Sequence, residues 1–224
     1  MQTNEKPMKR IISMFVFIIA SCAVMSARKV GPKEVEFREY FPYKYEVRAG
    51  WGGYPSYDSD CFSEGMFWRM AKAYREPAGH GDAPELNHMY GTTSGADYMT
   101  GFMSAEFSFN FRHWFSLAIE AGFNGMWGNT YDKYDGQRIG TARGVSFAIM
   151  PHARIYWVNR KYVRFYTGFG LGVALGKYDG YFEVYPSAQF SPVGLTAGKK
   201  VFFFAEGSVG TAYMGGKFGV GYRF

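Results

Sequence analysis

Hydrophobic and polar residues alternate with a period of two in eight segments of the chain. Such alternation is typical of β-strands with one apolar face and one polar face. The segments are Tyr43–Trp51, Met103–Phe111, Phe115–Asn124, Val145–Trp157, Val163–Leu175, Glu183–Thr196, Val201–Thr211 and Lys217–Phe224. The pattern therefore predicts an all-β fold with eight strands.

The sixth segment has the weakest alternation, because Pro186 and Pro192 interrupt it. Proline cannot donate a backbone hydrogen bond to a neighbouring strand, and within sheets it is confined to edges and bulges. We therefore expect a bulge or a change of phase in this strand.

The connections between the segments differ in length. Tight polar turns lie around 112–113, 159–161 and 198–200, whereas the other connections are longer or more irregular, above all 53–98 and about 127–142. Short turns on one side and long loops on the other are typical of an outer-membrane barrel with both termini on the short-turn side. The fold predicted is an eight-stranded antiparallel up-and-down transmembrane β-barrel, which leaves no open sheet edge in lipid.

The long loop 53–98 contains one stretch, Ser63–Arg75, with the spacing of an amphipathic helix. Such a helix could pack over the mouth of the barrel. It could instead lie at the surface and contact lipopolysaccharide phosphates or a partner protein, and the sequence leaves both alternatives open.

Composition agrees with a barrel and excludes other classes. Aromatic residues make up 20% of the 224 residues, and 29 residues are glycine. A disordered chain would lack the aromatic residues, and a coiled coil would be rich in Ala, Glu, Lys and Leu. The formal net charge is +6, but no run of basic residues exceeds two, so nucleic-acid binding is not expected.

Two features predict that the polar face points inward and the apolar face into lipid. The polar face is rich in Gly, Ser and Ala, which suits a narrow and crowded interior. Four tryptophans fall at predicted strand ends, where aromatic girdles contact the membrane–water interfaces. These girdle residues are Trp51, Trp114, Trp127 and Trp157.

The first 27 residues have the pattern of a secretory signal peptide, with cleavage near residues 23–27. A basic start is followed by an apolar run, Ile11–Ala20, that is too short to span a bilayer as a helix. The stretch Ile19–Cys22 also fits a lipoprotein signal with an acylated Cys22, an alternative that stays open. Residues 28–40 would form a short periplasmic segment and residues 41–224 the barrel, integral to the outer membrane after export through the periplasm.

The end of the chain resembles the C-terminal signal by which outer-membrane barrels are recognised for assembly. The matching residues are Lys217, Gly219, Tyr222 and Phe224. Stretches 49–55, 150–157, 191–195 and 204–207 resemble small outer-membrane β-barrel proteins typical of Bacteroides-type bacteria, over roughly residues 43–224. The resemblance implies an outer-membrane protein β-barrel domain, and it brings no catalytic residues with it.

The predicted inward face carries ionisable residues of both signs. They are Lys44, Glu46, Arg48, Glu106, Glu120, His152, Arg154, Arg164, Glu206 and Arg223. Unpaired charges inside a narrow barrel would be very costly, so we expect a paired and hydrogen-bonded plug. For Glu206, the nearest bases in topology are Arg223 and Lys217, although Arg164 or Arg154 could reach it across the interior. The alternative is a narrow gated channel.

A catalytic site is not evident in the sequence. His152 precedes Arg154 where a barrel-type lipid A deacylase would have serine, but a lipid A acyltransferase using His80, Asp82 or His88 remains an alternative. Cys61 is expected to be an unpaired thiol, and the scattered Cys and His residues predict no metal site and no cofactor. The expected partners are membrane lipid, lipopolysaccharide and the barrel assembly machinery, with the protein itself a monomer.

Overall fold

The computed structural model describes residues 35–37, 39, 41–62, 92–132, 135–178 and 180–224. Nine antiparallel strands account for most of these residues. They are β1 (Tyr45–Tyr54), β2 (Thr92–Met99), β3 (Phe102–Arg112), β4 (Phe115–Asp132), β5 (Arg138–Asn159), β6 (Val163–Tyr178), β7 (Tyr181–Gly198), β8 (Val201–Gly210) and β9 (Met214–Arg223). Because β2 and β3 pair with successive stretches of β4, the nine strands occupy eight positions around the sheet.

The sheet closes on itself. β1 pairs with β3 on one side and with β9 on the other, and β4 pairs with both β3 and β5. Tyr45 and Phe224 exchange two backbone hydrogen bonds of 3.0 Å at the seam. The prediction of an eight-stranded antiparallel barrel is thus confirmed.

Burial alternates along the strands in the predicted phase. Most apolar residues of the strands are exposed on the outside of the barrel, and the charged residues of the strands are mostly buried on the inside, together with a smaller number of apolar residues such as Met150, Phe202 and Phe204. Large interior side chains lie against glycines of the neighbouring strand. A Cβ on Gly170 would lie 2.5 Å from His152 Nε2, and one on Gly194 would lie 2.2 Å from Tyr166 Cζ. The interior therefore has no room for side chains at these positions.

The expected irregularity lies in β7. The register with both neighbouring strands shifts by one residue next to Pro192. As a result, the buried residues of β7 are odd-numbered up to Ser191 and even-numbered from Gly194 onward. Pro186 causes no register shift and lies opposite Val173 of β6. The bulge is confirmed, at the second proline only.

The predicted loop lengths need correction. β4 and β5 extend through most of 127–142, and only 133–137 connect them. β2 occupies the end of the predicted long loop, whose amphipathic helix over 63–75 falls outside the described residues. Along the added stretches of β4 and β5, the sequence is rich in Gly, Asn and Thr and no longer alternates between apolar and polar residues. These stretches continue beyond the part of the wall whose outer face is apolar.

Both ends of the interior are covered. At the short-turn end, Phe37 stacks on Phe41 with ring centroids 5.0 Å apart, and both rings are buried. At the opposite end, a helical turn over residues 56–62, called the mouth helix below, places Asp58 and Phe62 inside the barrel. Among the described residues, no helix has the length and hydropathy needed to cross a bilayer.

Candidate functional site

The interior of the barrel brings together nine of the ten predicted ionisable residues. Each of the nine is at most 5% exposed. Lys44 is the exception, and its predicted inward position is wrong: its side chain is exposed. The reason is its location before the first residue of β1, where the chain has not yet entered the barrel wall.

Glu46 is the centre of the charge cluster near the short-turn end. Its Oε1 lies 2.5 Å from Arg164 Nη1 and 3.1 Å from Arg223 Nε, and its Oε2 accepts a 2.8 Å bond from Arg48 Nη2. Asn110 Nδ2 donates a further bond of 3.1 Å to Oε1. Three guanidinium groups thus share one carboxylate, and such groups suit this arrangement because their donors lie in a fixed plane.

Aromatic rings contact the same guanidinium groups. Arg164 lies 3.7 Å from the ring centroid of Tyr156 and 4.4 Å from that of Phe41, and Arg223 lies 3.9 Å from that of Phe202. The faces of aromatic rings attract cations. These contacts therefore stabilise the positive charge of the arginines, which exceeds the negative charge of Glu46. Arg223 also donates to the carbonyl oxygens of Gly198 and Lys199, which closes the short-turn end.

A second carboxylate, Glu106, lies further along the interior. Arg154 donates to both of its oxygens, and Arg48 Nε lies 3.7 Å from Oε1. Arg48 therefore lies between Glu46 and Glu106 and links the two acids. Tyr166 accepts a 3.2 Å bond from Arg48 and donates to Glu206, so the network continues to the next group.

Lys217 joins the remaining two glutamates. Its Nζ lies 2.6 Å from Glu120 Oε1 and 3.0 Å from Glu206 Oε1. The second oxygen of Glu120 lies 3.1 Å from His152 Nε2. The sequence analysis assigned Lys217 to the terminal signal and also named it as one of the nearest candidate bases for Glu206, but it did not place Lys217 among the ten residues of the network. The contact with Glu206 agrees with that candidate, whereas the contact with Glu120 was not predicted.

Asp58 of the mouth helix was not predicted to lie inside. Its carboxylate accepts bonds from the Tyr178 and Tyr185 hydroxyls, from Ser146 Oγ and, at 3.1 Å, from Asn124 Nδ2. These four donors belong to β6, β7, β5 and β4. A single carboxylate therefore fastens the mouth helix to four consecutive strands. No periodic pattern marks Asp58 in the sequence, because it follows β1 in an irregular segment.

A second contact of the mouth helix involves Glu183 of β7. Tyr57 OH donates to Glu183 Oε1 and Cys61 Sγ donates to Oε2, both at 3.1 Å. Burial, together with the hydrogen bond to Glu183 and its charge, raises the pKa of the Cys61 thiol to about 12. The pKa of Tyr57 is likewise raised to about 12 by burial and by Glu183. Within the described residues, Cys61 is a free and buried cysteine.

Charges of opposite sign are equal in number among the described buried side chains, apart from His152. The acids are Glu46, Asp58, Glu106, Glu120 and Glu206, and the bases are Arg48, Arg154, Arg164, Lys217 and Arg223. The distribution is uneven, because three arginines surround Glu46 whereas Asp58 has only neutral donors. Positive charge is therefore concentrated at the short-turn end and negative charge at the mouth.

The four predicted girdle tryptophans all lie on the outer face and are between 41% and 57% exposed. Trp114 and Trp157 lie beside short turns, whereas Trp51 and Trp127 lie towards the mouth. Of the predicted assembly residues, Tyr222 and Phe224 point outward, and Lys217 is buried in the charge network. Gly219 lies against the backbone of β1, because a Cβ there would be 2.0 Å from the Ala49 carbonyl oxygen.

The candidate catalytic histidines do not form a site among the described residues. His152 is only 1% exposed and lies between Glu120 and Gly170. His80, Asp82 and His88 fall outside the described residues. In the part of the chain that the structure describes, no three His, Cys, Asp or Glu side chains gather in a way that could hold a metal ion.

A scan against protein-family models and a search of curated proteins found no match to this chain.

Proposed function

We propose that this protein is an integral outer-membrane β-barrel with a structural or surface-interaction role and a plugged interior. One observation carries the proposal: the usual arrangement of polar and apolar residues is inverted. The buried set includes ten charged side chains, whereas large apolar residues such as Ile119, Phe169 and Phe203 are about half exposed or more on the outer face. A water-soluble protein would seldom expose so large an apolar surface.

The backbone supports a membrane location. In hydrocarbon, each unpaired N–H or C=O group costs several kcal/mol, so strands can span a membrane only in a closed sheet. The barrel meets this condition along the seam between β1 and β9, where the pairs run from Glu46–Arg223 to Gly52–Lys217. Tryptophan at both ends of the apolar wall, Trp157 at one and Trp127 at the other, fits the two membrane–water interfaces.

The contacts inside the barrel support a plug rather than a channel. Each of the four interior glutamates contacts at least one base or hydroxyl, and Phe41 and the mouth helix cover the two ends. Ion flow would require water and free space along the axis, and moving these side chains would break buried ion pairs. We therefore propose that the closed state does not conduct.

Fractionation and gel mobility test the membrane proposal. The protein should remain with outer membranes after carbonate extraction, because strands in the hydrocarbon core are not released by high pH. Without heating, it should migrate differently in detergent gels, because a closed barrel resists unfolding by the detergent. Release by carbonate, with identical mobility before and after heating, would contradict an integral barrel.

The role we propose is not catalytic. The position of His152 supports this, because a general base must reach its substrate and this imidazole is enclosed by the wall and the charge network. A lipid A mass profile of a strain lacking the gene tests the enzyme alternative. We expect a profile identical to that of the parent strain; missing or additional acyl groups would favour an acyltransferase or a deacylase.

A further inference from the structure

Two basic side chains interrupt the apolar outer face of the described strands, Arg143 of β5 and Lys177 of β6. Both are exposed, and the residues on either side of each are buried, so both point outward. Val145 lies directly opposite Lys177, which makes Arg143 the diagonal neighbour of Lys177. Diagonal neighbours across two antiparallel strands are about 7–8 Å apart at their Cα atoms. Two long basic side chains at this spacing can reach one anion.

The register places aromatic residues in the same row as the two bases. Tyr98 pairs with Trp127, Trp127 pairs with Arg143, and Lys177 pairs with Phe182. The rings of Tyr98 and Trp127 stack, with centroids 6.0 Å apart and planes 15° apart. The row therefore presents a flat aromatic surface directly beside a guanidinium group and an ammonium group.

The wall below this row is apolar. On β5 the outward residues are Val145, Phe147 and Ile149, and on β6 Leu175 occupies the same face. Each is between 42% and 50% exposed. Arg143 and Lys177 thus lie at the border between the apolar wall and the extension of the barrel. Neither forms an ion pair with an acidic side chain in the described part of the chain.

We propose that Arg143 and Lys177 bind the phosphate of a phosphorylated glycolipid in the leaflet that surrounds the mouth of the barrel. The guanidinium and ammonium groups would hold the phosphate by charge-assisted hydrogen bonds. The sugar ring would lie on Trp127 and Tyr98, and the acyl chains would follow the apolar wall below. The inference rests on the proposed membrane location, and it adds a ligand class and the residues that bind it.

A lateral lipid fits the position better than a soluble anion. β5 continues for five residues beyond Arg143, to Arg138, so Arg143 lies on the side of the wall and not at its rim. Lys177 lies at the same height as Val145 of β5, one residue before β6 ends at Tyr178, so the extension of β5 continues beyond both bases. Basic residues at the other end, Arg160 and Lys161, lie in a turn beyond the strand ends. They have the same charges and one adjacent ring, with Lys161 Nζ 5.6 Å from the ring centroid of Tyr162, but no stacked pair like Tyr98 and Trp127 beside them. They therefore provide a control for charge alone.

Lipid retention by the purified, folded barrel tests the proposal. The protein in detergent is mixed with diphosphorylated lipid A, with lipid A lacking both phosphates, or with phosphatidylglycerol, and bound lipid is counted by native mass spectrometry. The wild type and the Arg160→Gln/Lys161→Gln variant should retain diphosphorylated lipid A. We expect about tenfold weaker retention by Arg143→Gln/Lys177→Gln. The charge-conserving variant Arg143→Lys/Lys177→Arg should retain most of the binding.

Several outcomes would overturn the site. They are equal retention by the wild type and Arg143→Gln/Lys177→Gln, equal retention of dephosphorylated lipid A by the wild type, and equal retention of phosphatidylglycerol. The comparison of lipids needs only the wild-type protein, so it decides the question even where a variant fails to fold. Carbonate extraction tests membrane location separately. A barrel that stays in the membrane but does not distinguish these lipids contradicts the site and leaves the proposed function intact.

Discussion

Glu206 and Lys217 face each other across the pair of strands β8 and β9, with Lys217 Nζ 3.0 Å from Glu206 Oε1. The same ammonium group reaches Glu120 of β4, a strand that is not adjacent to β9. Of the partners considered for Glu206 from topology, Lys217 forms the contact, whereas Arg223 lies six residues further along β9 and pairs with Glu46. One base therefore connects opposite parts of the wall through the interior.

Replacing Glu206 with alanine should destabilise the barrel clearly. The change removes one counter-charge of Lys217 and the acceptor of the Tyr166 hydroxyl. It also leaves the Tyr213 hydroxyl with only its 3.2 Å contact to Ser208 Oγ. Breaking a buried ion pair costs about 3–5 kcal/mol. The free energy of unfolding, from urea titrations read by the unheated gel mobility, measures the loss.

Val173→Ala is the control for Glu206→Ala, because Val173 lies on the outer face of β6. It should change the free energy of unfolding by about 1 kcal/mol or less. In planar bilayers, the wild type should stay near background conductance and Glu206→Ala should conduct more. A steady, ion-selective current through the unmodified protein would contradict the plug.

Asp58→Asn should loosen the mouth helix. The amide has almost the same shape as the carboxylate, but it carries no charge and presents an N–H₂ group to donors such as Tyr178 and Asn124. The loss of a buried, charged acceptor should cost about 1–3 kcal/mol. Brief openings in planar bilayers should become more frequent.

Asp60→Asn provides a matched control for Asp58→Asn. Asp60 lies on the same helical turn but is exposed, so its substitution should alter neither stability nor conductance. Equal behaviour of the two variants would show that the carboxylate of Asp58 does not fasten the mouth helix.

Deletion of Phe224 and its substitution by alanine should have different effects. Deletion removes the ring and both backbone hydrogen bonds to Tyr45 at the seam, whereas Phe224→Ala removes the ring and keeps the bonds. If the ring is an assembly signal, both variants should insert poorly, as measured by the heat-modifiable fraction in outer membranes. Normal insertion of Phe224→Ala with poor insertion of the deletion variant would assign the effect to seam closure alone.

Alkylation of Cys61 should be slow in the folded protein and should accelerate with pH. Its pKa of about 12, raised by burial and by Glu183, leaves little thiolate at pH 8, and the thiolate is the reactive form. Below pH 12, the rate should rise about tenfold for each pH unit. Glu183→Gln removes the negative charge, so this variant should react faster at the same pH.

The raised pKa of Cys61 also fixes the sign of its effect on stability. The unfolded thiol ionises near its ordinary pKa of 9.0, while the folded thiol stays neutral up to about 12. Its contribution to stability is therefore fully present below pH 9 and falls as the pH rises above it. A labelling rate at pH 8 that equals the rate for heat-unfolded protein would contradict this account.

The sequence by itself determined the wall of the barrel. Period-two alternation places Glu46, Arg154 and Arg223 on the same face as small residues, and the structure has all three inside. The reason is local: successive side chains of a strand point to opposite faces, so the phase of one strand fixes the side of every residue in it. The bulge in β7 follows equally directly from Pro192, which cannot donate to the ladder.

Only the tertiary structure decided what lies outside the periodic pattern. Asp58 enters the interior because the mouth helix folds into the opening, where donors from four distant strands meet its carboxylate. Likewise, the stagger of the strands, which no single strand encodes, decides that Lys217 reaches Glu120 across the interior. Lys44 shows the converse, since it has the phase of an inward residue but lies before the wall begins. Alternation gives each residue a face, but closure of the sheet sets the height of that residue and its partners across the interior.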